Sequence, residues 1–234
     1  MRIAIIPARG GSKRIPRKNI RLFRGKPVLA WSVDAALESG LFDAVHVSTD
    51  DDEIAAIALE YGAQIPFMRS AGLADDHTGL DAVVFEHVAQ LVKAGERPDL
   101  CCCIFATAPF VTPALLQEGL DLLTHDPHCQ YSVAVARYAF PIQRSVRMNA
   151  SQYIEPFWPE SIPQRSQDLE PAYHEAGQFY WGRTSALLER VSIYAGRTRP
   201  HVLPSYRVQD IDTEEDWLRA EHMHRVLEEM SCEL

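Results

Sequence analysis

The sequence predicts an α/β fold, a mostly parallel sheet flanked by helices. Short apolar runs alternate with segments of helical period, and a glycine-rich loop follows the first run. Leu100–Phe105 is apolar throughout, as a central parallel strand requires.

Ile3–Ile6 has no helical period and is bounded by Pro7 and Gly10-Gly11, the signature of a buried strand and then a loop. Pro27 to Gly40 is predicted helical, with proline near its start and glycine at its end. Its apolar residues Val28, Leu29, Trp31, Ala35 and Ala36 share one broad face. Ala44–Ser48 reads as a second strand, Asp52–Tyr61 as a helix closed by Gly62, and Ile65–Met68 as a short third strand. Leu80–Ala94 is helical, with Val83, Val84, His87, Val88, Leu91 and Val92 at i, i+3, i+4 spacing. Pro113–Leu123 is another helix and Tyr131–Ala136 another strand. Gln178–Trp181 and Tyr206–Val208 read as late strands, and Glu214–Met230 as the last helix. Strands and helices in this alternation connect by right-handed crossovers.

The chain has 234 residues, which suits one domain carrying a sizeable insertion. Residues 137–175 are that insertion: Pro141, Pro156, Pro159, Pro163 and Pro171 interrupt the alternation, and the segment reads as an added piece or a partner-facing arm. No stretch reaches the roughly 18 apolar residues of a spanning helix, so no membrane partner is expected. Cys101, Cys102 and Cys103 are adjacent on a strand and point to alternate faces, so they cannot form one metal cage. Reduced, buried thiols fit a cytoplasmic protein. His222 and His224 lie two apart on a helix, do not share a face, and read as surface residues.

Net charge is −9, unevenly spread. Residues 1–33 hold nine Arg or Lys and no acid, leaving 14 basic and 32 acidic side chains in the rest. A background that acidic repels nucleic acid and anionic membranes, and makes the first segment a local anion site.

The densest signal is Pro7-Ala-Arg-Gly-Gly-Ser-Lys-Arg-Ile-Pro-Arg-Lys-Asn19. Ligands of open α/β sheets bind at the carboxyl ends of strands. Glycines there let backbone N–H groups approach phosphate, having no Cβ and tolerating positive φ. Arg9, Lys13 and Lys18 add the charge a triphosphate needs. The loop is neither a G-x-x-x-x-G-K-[ST] nor a G-x-G-x-x-G pattern. A solvated basic turn is the bland alternative, weakened by the paired glycines directly after a strand.

Near the other end, Val208-Gln-Asp-Ile-Asp212 precedes the last helix. If extended, it points Asp210 and Asp212 to one face, where two carboxylates suit Mg²⁺. Asp212 or Thr213 can instead cap the helix, with Thr213-Glu-Glu-Asp216 as an approximate capping box. Both roles are compatible on neighbouring residues.

Ile6-Pro-Ala-Arg-Gly-Gly-Ser-Lys-Arg-Ile-Pro-Arg-Lys-Asn19 resembles the nucleotide-binding signature of the CMP-N-acylneuraminate synthetase family. Val47-Ser-Thr-Asp50, Ala74-Asp-Asp-His-Thr-Gly79, Arg165-Ser-Gln-Asp168 and Asp210-Ile-Asp212 extend the resemblance from residue 2 to about 220. Within the family, Phe67-Met-Arg69, Ala106-Thr-Ala-Pro-Phe110 and Glu175-Ala-Gly-Gln-Phe-Tyr-Trp-Gly182 are most similar to members acting on pseudaminic acid.

The resemblance implies a Rossmann-like nucleotidyltransferase domain over 1–234, a dimerisation arm within about 137–175, a homodimer, CTP, and Mg²⁺ on Asp210 and Asp212. It implies transfer of CMP to an acidic nine-carbon keto sugar, or to N-acetylneuraminic, legionaminic or 3-deoxy-octulosonic acid. A non-catalytic CTP-binding protein is the alternative of another class. Ala8, Arg9, Gly10, Gly11, Ser12, Lys18 and Asn19 would contact phosphates or ribose, and Arg69 and Thr78 would lie near cytosine. Arg9, Lys18 and Asp212 would carry catalysis. Where sialic acid enzymes have the glutamine of Gln-Pro-Thr-Ser-Pro, this chain has Phe105-Ala-Thr-Ala-Pro109, so that contact has no counterpart. For the sugar, Arg165 would face the carboxylate, while Gln167, Tyr173, Gln178 and Tyr180 would read hydroxyl and acetamido groups. Tyr173, Phe179, Tyr180 and Trp181 can equally form core and dimer packing. No residue stands out as a general base.

Overall fold

The first apolar run becomes β1 (Arg2–Pro7). The chain then makes the basic loop, a small hairpin of β2 (Leu22–Phe23) and β3 (Lys26–Pro27), and α1 (Val28–Glu38). The computed structural model describes residues 1–70, 72 and 79–232. β4 (Ala44–Ser48) and α2 (Asp52–Glu60) follow, then α3 (Leu80–Lys93), β5 (Leu100–Ile104), α4 (Pro113–Thr124) and β6 (Tyr131–Arg137). Residues 137–175 carry the hairpin β7 (Val146–Met148) and β8 (Ile154–Pro156). The chain ends with β9 (Tyr173–Arg183), α5 (Thr184–Leu188), β10 (Thr198–Leu203) and α6 (Glu214–Cys232).

Helix starts follow local chemistry. Asp51 caps α2 by accepting the Glu53 and Ile54 amides. Thr112 caps α4, with Pro113 in the first turn where its missing N–H costs nothing.

The main sheet runs in the order β10-β6-β9-β5-β1-β4. β9 is antiparallel to both neighbours, while β10–β6, β5–β1 and β1–β4 are parallel. Side chains alternate across it. Ala4, Ile6 and Cys102 pack with Leu29, Val33 and Leu116 from α1 and α4. Ile3, Ile5, Cys101 and Cys103 pack with Val84, Val88 and Leu91 of α3. The three adjacent cysteines are thus split between two cores, buried and unoxidised.

Two predicted strands do not form. Ile65–Met68 contributes only a single bridge beside it, His46 to Gln64, because Pro66 has no N–H for a ladder. Tyr206–Val208 falls in a 3₁₀ turn (Ser205–Arg207), and the strand is β10 just before it. His224 is also not a surface residue: it is buried, its ring 4.3 Å from that of Trp31 and 5.5 Å from that of Phe23.

From β1 the chain goes to β4 on one side and later to β5 on the other. The carboxyl end of β1 is therefore a switch point, where an open α/β sheet leaves a crevice.

Candidate active site

The crevice holds a cleft of about 590 Å³ lined by the ends of β1 and β5, by Arg69, by Leu80 and Val83 of α3 and by the segment before α6. Pro7 ends β1, and Arg9, Ser12, Lys13, Arg14, Ile15, Lys18 and Asn19 come from the loop after it. Arg69 comes from the segment after α2, its amide bonded to the Thr49 carbonyl beyond β4; Phe105, Ala106 and Thr107 follow β5, and Asp210 and Asp212 precede α6.

One apolar cluster brings the two ends of the chain together. Ile15 of the loop and Ile211 are both buried, with Phe23, Val28, Phe110 and Trp217. Burial of Ile211 leaves its neighbours Asp210 and Asp212 to face the cleft, the same alternation that a strand would give. Lys18 Nζ ties loop to segment, donating to the Ile211 carbonyl at 2.6 Å and to Asp212 Oδ1 at 3.3 Å. Arg14 Nη2 reaches the same carboxyl at 2.8 Å. Asn19 closes the loop by donating from Nδ2 to the Arg9 carbonyl at 2.9 Å.

The capping role falls to Thr213, which leaves the Asp212 carboxyl free of it. Thr213 and Asp216 form the box: the Asp216 amide donates to Thr213 Oγ1 at 3.2 Å, and the Thr213 amide to Asp216 Oδ2 at 2.9 Å. Asp212 is left to the cleft. Burial raises the Asp210 carboxyl above its ordinary range, and the Asp212 charge adds to this. Two hard oxygen donors that repel each other in a cleft otherwise rich in cations fit Mg²⁺. Among the described residues no three or more His, Cys, Asp or Glu form a complete cage, so phosphate and water would fill the remaining positions.

The glycines act differently from expectation. Neither Gly10 nor Gly11 has positive φ. Gly10 is needed for close approach instead: a Cβ there would stand 2.5 Å from Asp51 Oδ2. Its amide donates to Asp50 Oδ1 at 3.2 Å, and the amide of buried Ala8 to the Ser48 carbonyl at 2.9 Å. Ala8, Gly10 and Gly11 do not line the cleft; Arg9, Ser12, Lys18, Asn19, Arg69, Asp210 and Asp212 do. Arg69 is steered by the end of β4: its amide donates to the Thr49 carbonyl at 2.8 Å, and its guanidinium to the Ser48 carbonyl and, at 3.3 Å, to Ser48 Oγ. Thr78 and most of the 74–79 motif lie outside the described residues.

None of the five predicted sugar residues lines this cleft. Arg165 is 72% exposed and forks onto Asp168 at 2.7 and 3.2 Å. Gln167 and Tyr173 are exposed. Gln178 is buried and donates to the Arg207 carbonyl, holding the turn that leads to Asp210. Tyr180 is buried beside a smaller cavity of about 240 Å³.

Sequence reasoning missed Arg14, Arg17, Asp50 and Asp51. Arg14 and Arg17 were hidden in a run of cations that spacing alone cannot rank, and Asp51 read only as the start of a helix. Arg17 holds the Asp51 carboxyl down to about 2.

A polar cleft rich in cations at the switch point of an open α/β sheet defines a nucleotide-binding enzyme site. The family model for cytidylyltransferases matches residues 3–230, and the chain belongs to that family. It is a CTP-dependent nucleotidyltransferase. A pseudaminic acid cytidylyltransferase of Campylobacter jejuni is 41% identical over 224 residues, 96% of each chain. The CMP-N,N'-diacetyllegionaminic acid synthase of Legionella pneumophila is 33% identical over 242 residues, 97% of each. The solved structure of a CMP:2-keto-3-deoxy-manno-octonic acid synthetase complexed with CTP shares the fold, with a TM-score of 0.69 at 21% identity, covering 100% of this chain and 99% of that one.

Proposed function

We propose that the chain transfers CMP from CTP to the anomeric hydroxyl of pseudaminic acid, an acidic nine-carbon keto sugar, and releases pyrophosphate. The observation that carries this is the charge of the cleft. Arg9, Lys13, Arg14, Lys18 and Arg69 face Asp210 and Asp212, a local surplus of three positive charges in a chain of net charge −9. Such a surplus suits a triphosphate. The choice of sugar rests on the Campylobacter jejuni relative.

Arg9 and Lys18 hold the phosphates, and Arg69 lies towards the base. The sugar oxygen bonds to the α-phosphorus as the bond to pyrophosphate breaks in line, and the hydroxyl proton leaves to solvent or a nearby base. Positioning and charge stabilisation do most of this work, without a covalent enzyme intermediate. Asp210 and Asp212 would hold Mg²⁺, which when bound neutralises charge on the α-phosphate and departing pyrophosphate.

The arm of residues 137–175 supports a homodimer. Phe140 is 83% exposed, Ile154 75% and Tyr153 72%, with Phe157 and Trp158 also exposed. Arg165 and Gln167 stand on this arm, and dimerisation would carry them to a sugar site with Tyr173, Gln178 and Tyr180. Four buried free thiols (Cys101, Cys102, Cys103 and Cys129) support a cytoplasmic location; no helix among the described residues is long and apolar enough to cross a membrane.

The test is pyrophosphate release with CTP and Mg²⁺ across pseudaminic, legionaminic, N-acetylneuraminic and 3-deoxy-octulosonic acids. The highest kcat/KM is expected for pseudaminic acid. A higher value for another sugar replaces the substrate, and no release with any of them favours the non-catalytic CTP-binding reading.

A further inference from the structure

We propose that Arg17 and Asp51 form a latch that sets the shape of the phosphate loop, making them positioning residues for CTP. The inference rests on the cytidylyl-transfer reading and extends it to side chains that do not line the cleft.

The latch is built from the β4–α2 turn. Asp51 is fixed there because its Oδ1 accepts the Glu53 and Ile54 amides at 3.1 and 3.0 Å. Both its oxygens also take the guanidinium of Arg17, with Nη1 at 2.5 Å from Oδ2 and Nη2 at 3.0 Å from Oδ1. Nη2 reaches Glu53 as well. This is the bidentate geometry that carries orientation along with charge.

Arg17 stands at φ 54°, ψ 31°, the left-handed region that a residue with a Cβ rarely enters. That conformation turns the chain directly into Lys18, whose ammonium reaches Ile211 and Asp212. The fork onto Asp51 is what holds Arg17 in it. At the loop's other end, the Asp51 carboxyl fills the space beside Gly10, and Asp50 takes the Gly10 amide. One turn therefore grips the loop at residues 10 and 17. Arg9, Lys13, Arg14 and Lys18 lie within or just outside that grip and face the cleft. The pairing also neutralises a carboxylate that would otherwise repel a triphosphate a few residues away.

Asp51→Asn separates this role from helix capping, since asparagine caps equally well but cannot anchor a guanidinium fork. Arg17→Ala removes the fork, and Arg17→Lys keeps the charge without it. With the full chain, steady-state kinetics give KM for CTP and for pseudaminic acid separately. Calorimetry gives CTP affinity without turnover, and thermal melts report the fold. Asp51→Asn and Arg17→Ala are expected to raise the CTP KM and Kd about tenfold, with the double variant no worse than either single one. KM for the sugar should stay within about twofold, and Arg17→Lys should recover part of the loss.

An unchanged CTP Kd in both single variants overturns the latch. So does an equal rise in both KM values, which is general loosening, or additive losses in the double variant. If the wild type binds CTP but turns over no sugar, calorimetry still decides the latch while the sugar assignment falls. If the wild type does not bind CTP, both fall.

Discussion

Lys18 uses one ammonium group to close the loop onto the Ile211 carbonyl and to meet Asp212, so its loss should remove a positive charge from the cleft together with a structural tie. Lys18→Ala and Asp212→Asn are each expected to lower kcat by about 10²–10³-fold, the scale for losing one preorganised charge contact in a transition state. Circular dichroism should be unchanged, because neither side chain belongs to the apolar clusters. Near-normal kcat in either would remove that residue from the mechanism. Gly10→Ala drives a methyl to 2.5 Å from Asp51 Oδ2, so turn or loop must shift. A CTP KM raised about as far as by Asp51→Asn is the expected result.

At the scale of elements, β4 and α3 meet through a histidine pair. His46 Nδ1 lies 3.1 Å from His87 Nε2, and both rings are buried. Burial lowers His46 to about 4, and burial followed by the charges of His46 and Arg69 lowers His87 to about 3. The unfolded chain binds protons at these rings below pH 6.5, whereas the folded chain excludes them until about 4 and 3. Stability is therefore expected to fall as pH drops from 6.5 towards 4, with no contribution from the pair above 6.5. Melting temperature against pH checks this, and His87→Gln should flatten the slope. Thr213→Ala, which deletes the cap of α6, should cost about 1 kcal/mol in denaturant unfolding.

These elements also mark what the sequence could tell. Helical spacing in Leu80–Lys93 and the unbroken apolar run of β5 depend on local pattern and were legible. β10 was not, because Pro200 argues against a strand; it is tolerated since β10 is an edge, bonded only to β6. His224 looked superficial because spacing cannot reveal that Phe23, Trp31 and Phe110 converge on it. The same limit governed the site. Its cations and aspartates were visible as motifs, but the convergence of Ile15 with Ile211 that joins them depends on tertiary packing.

For the whole molecule, the apolar arm predicts the state of association. Phe140→Glu combined with Ile154→Glu is expected to shift sedimentation from dimer towards monomer while leaving the sheet intact. Unaltered sedimentation would exclude the arm as the contact.

The bond from Lys18 to Ile211 spans 193 residues of chain. On a ribosome adding about 5–20 residues per second, the glycine loop waits roughly 10–40 s before its acidic counterpart is made. A nascent polypeptide thus carries an exposed cationic hook well before it can do chemistry. Competence to consume nucleotide arrives only once residues 210–212 have been made.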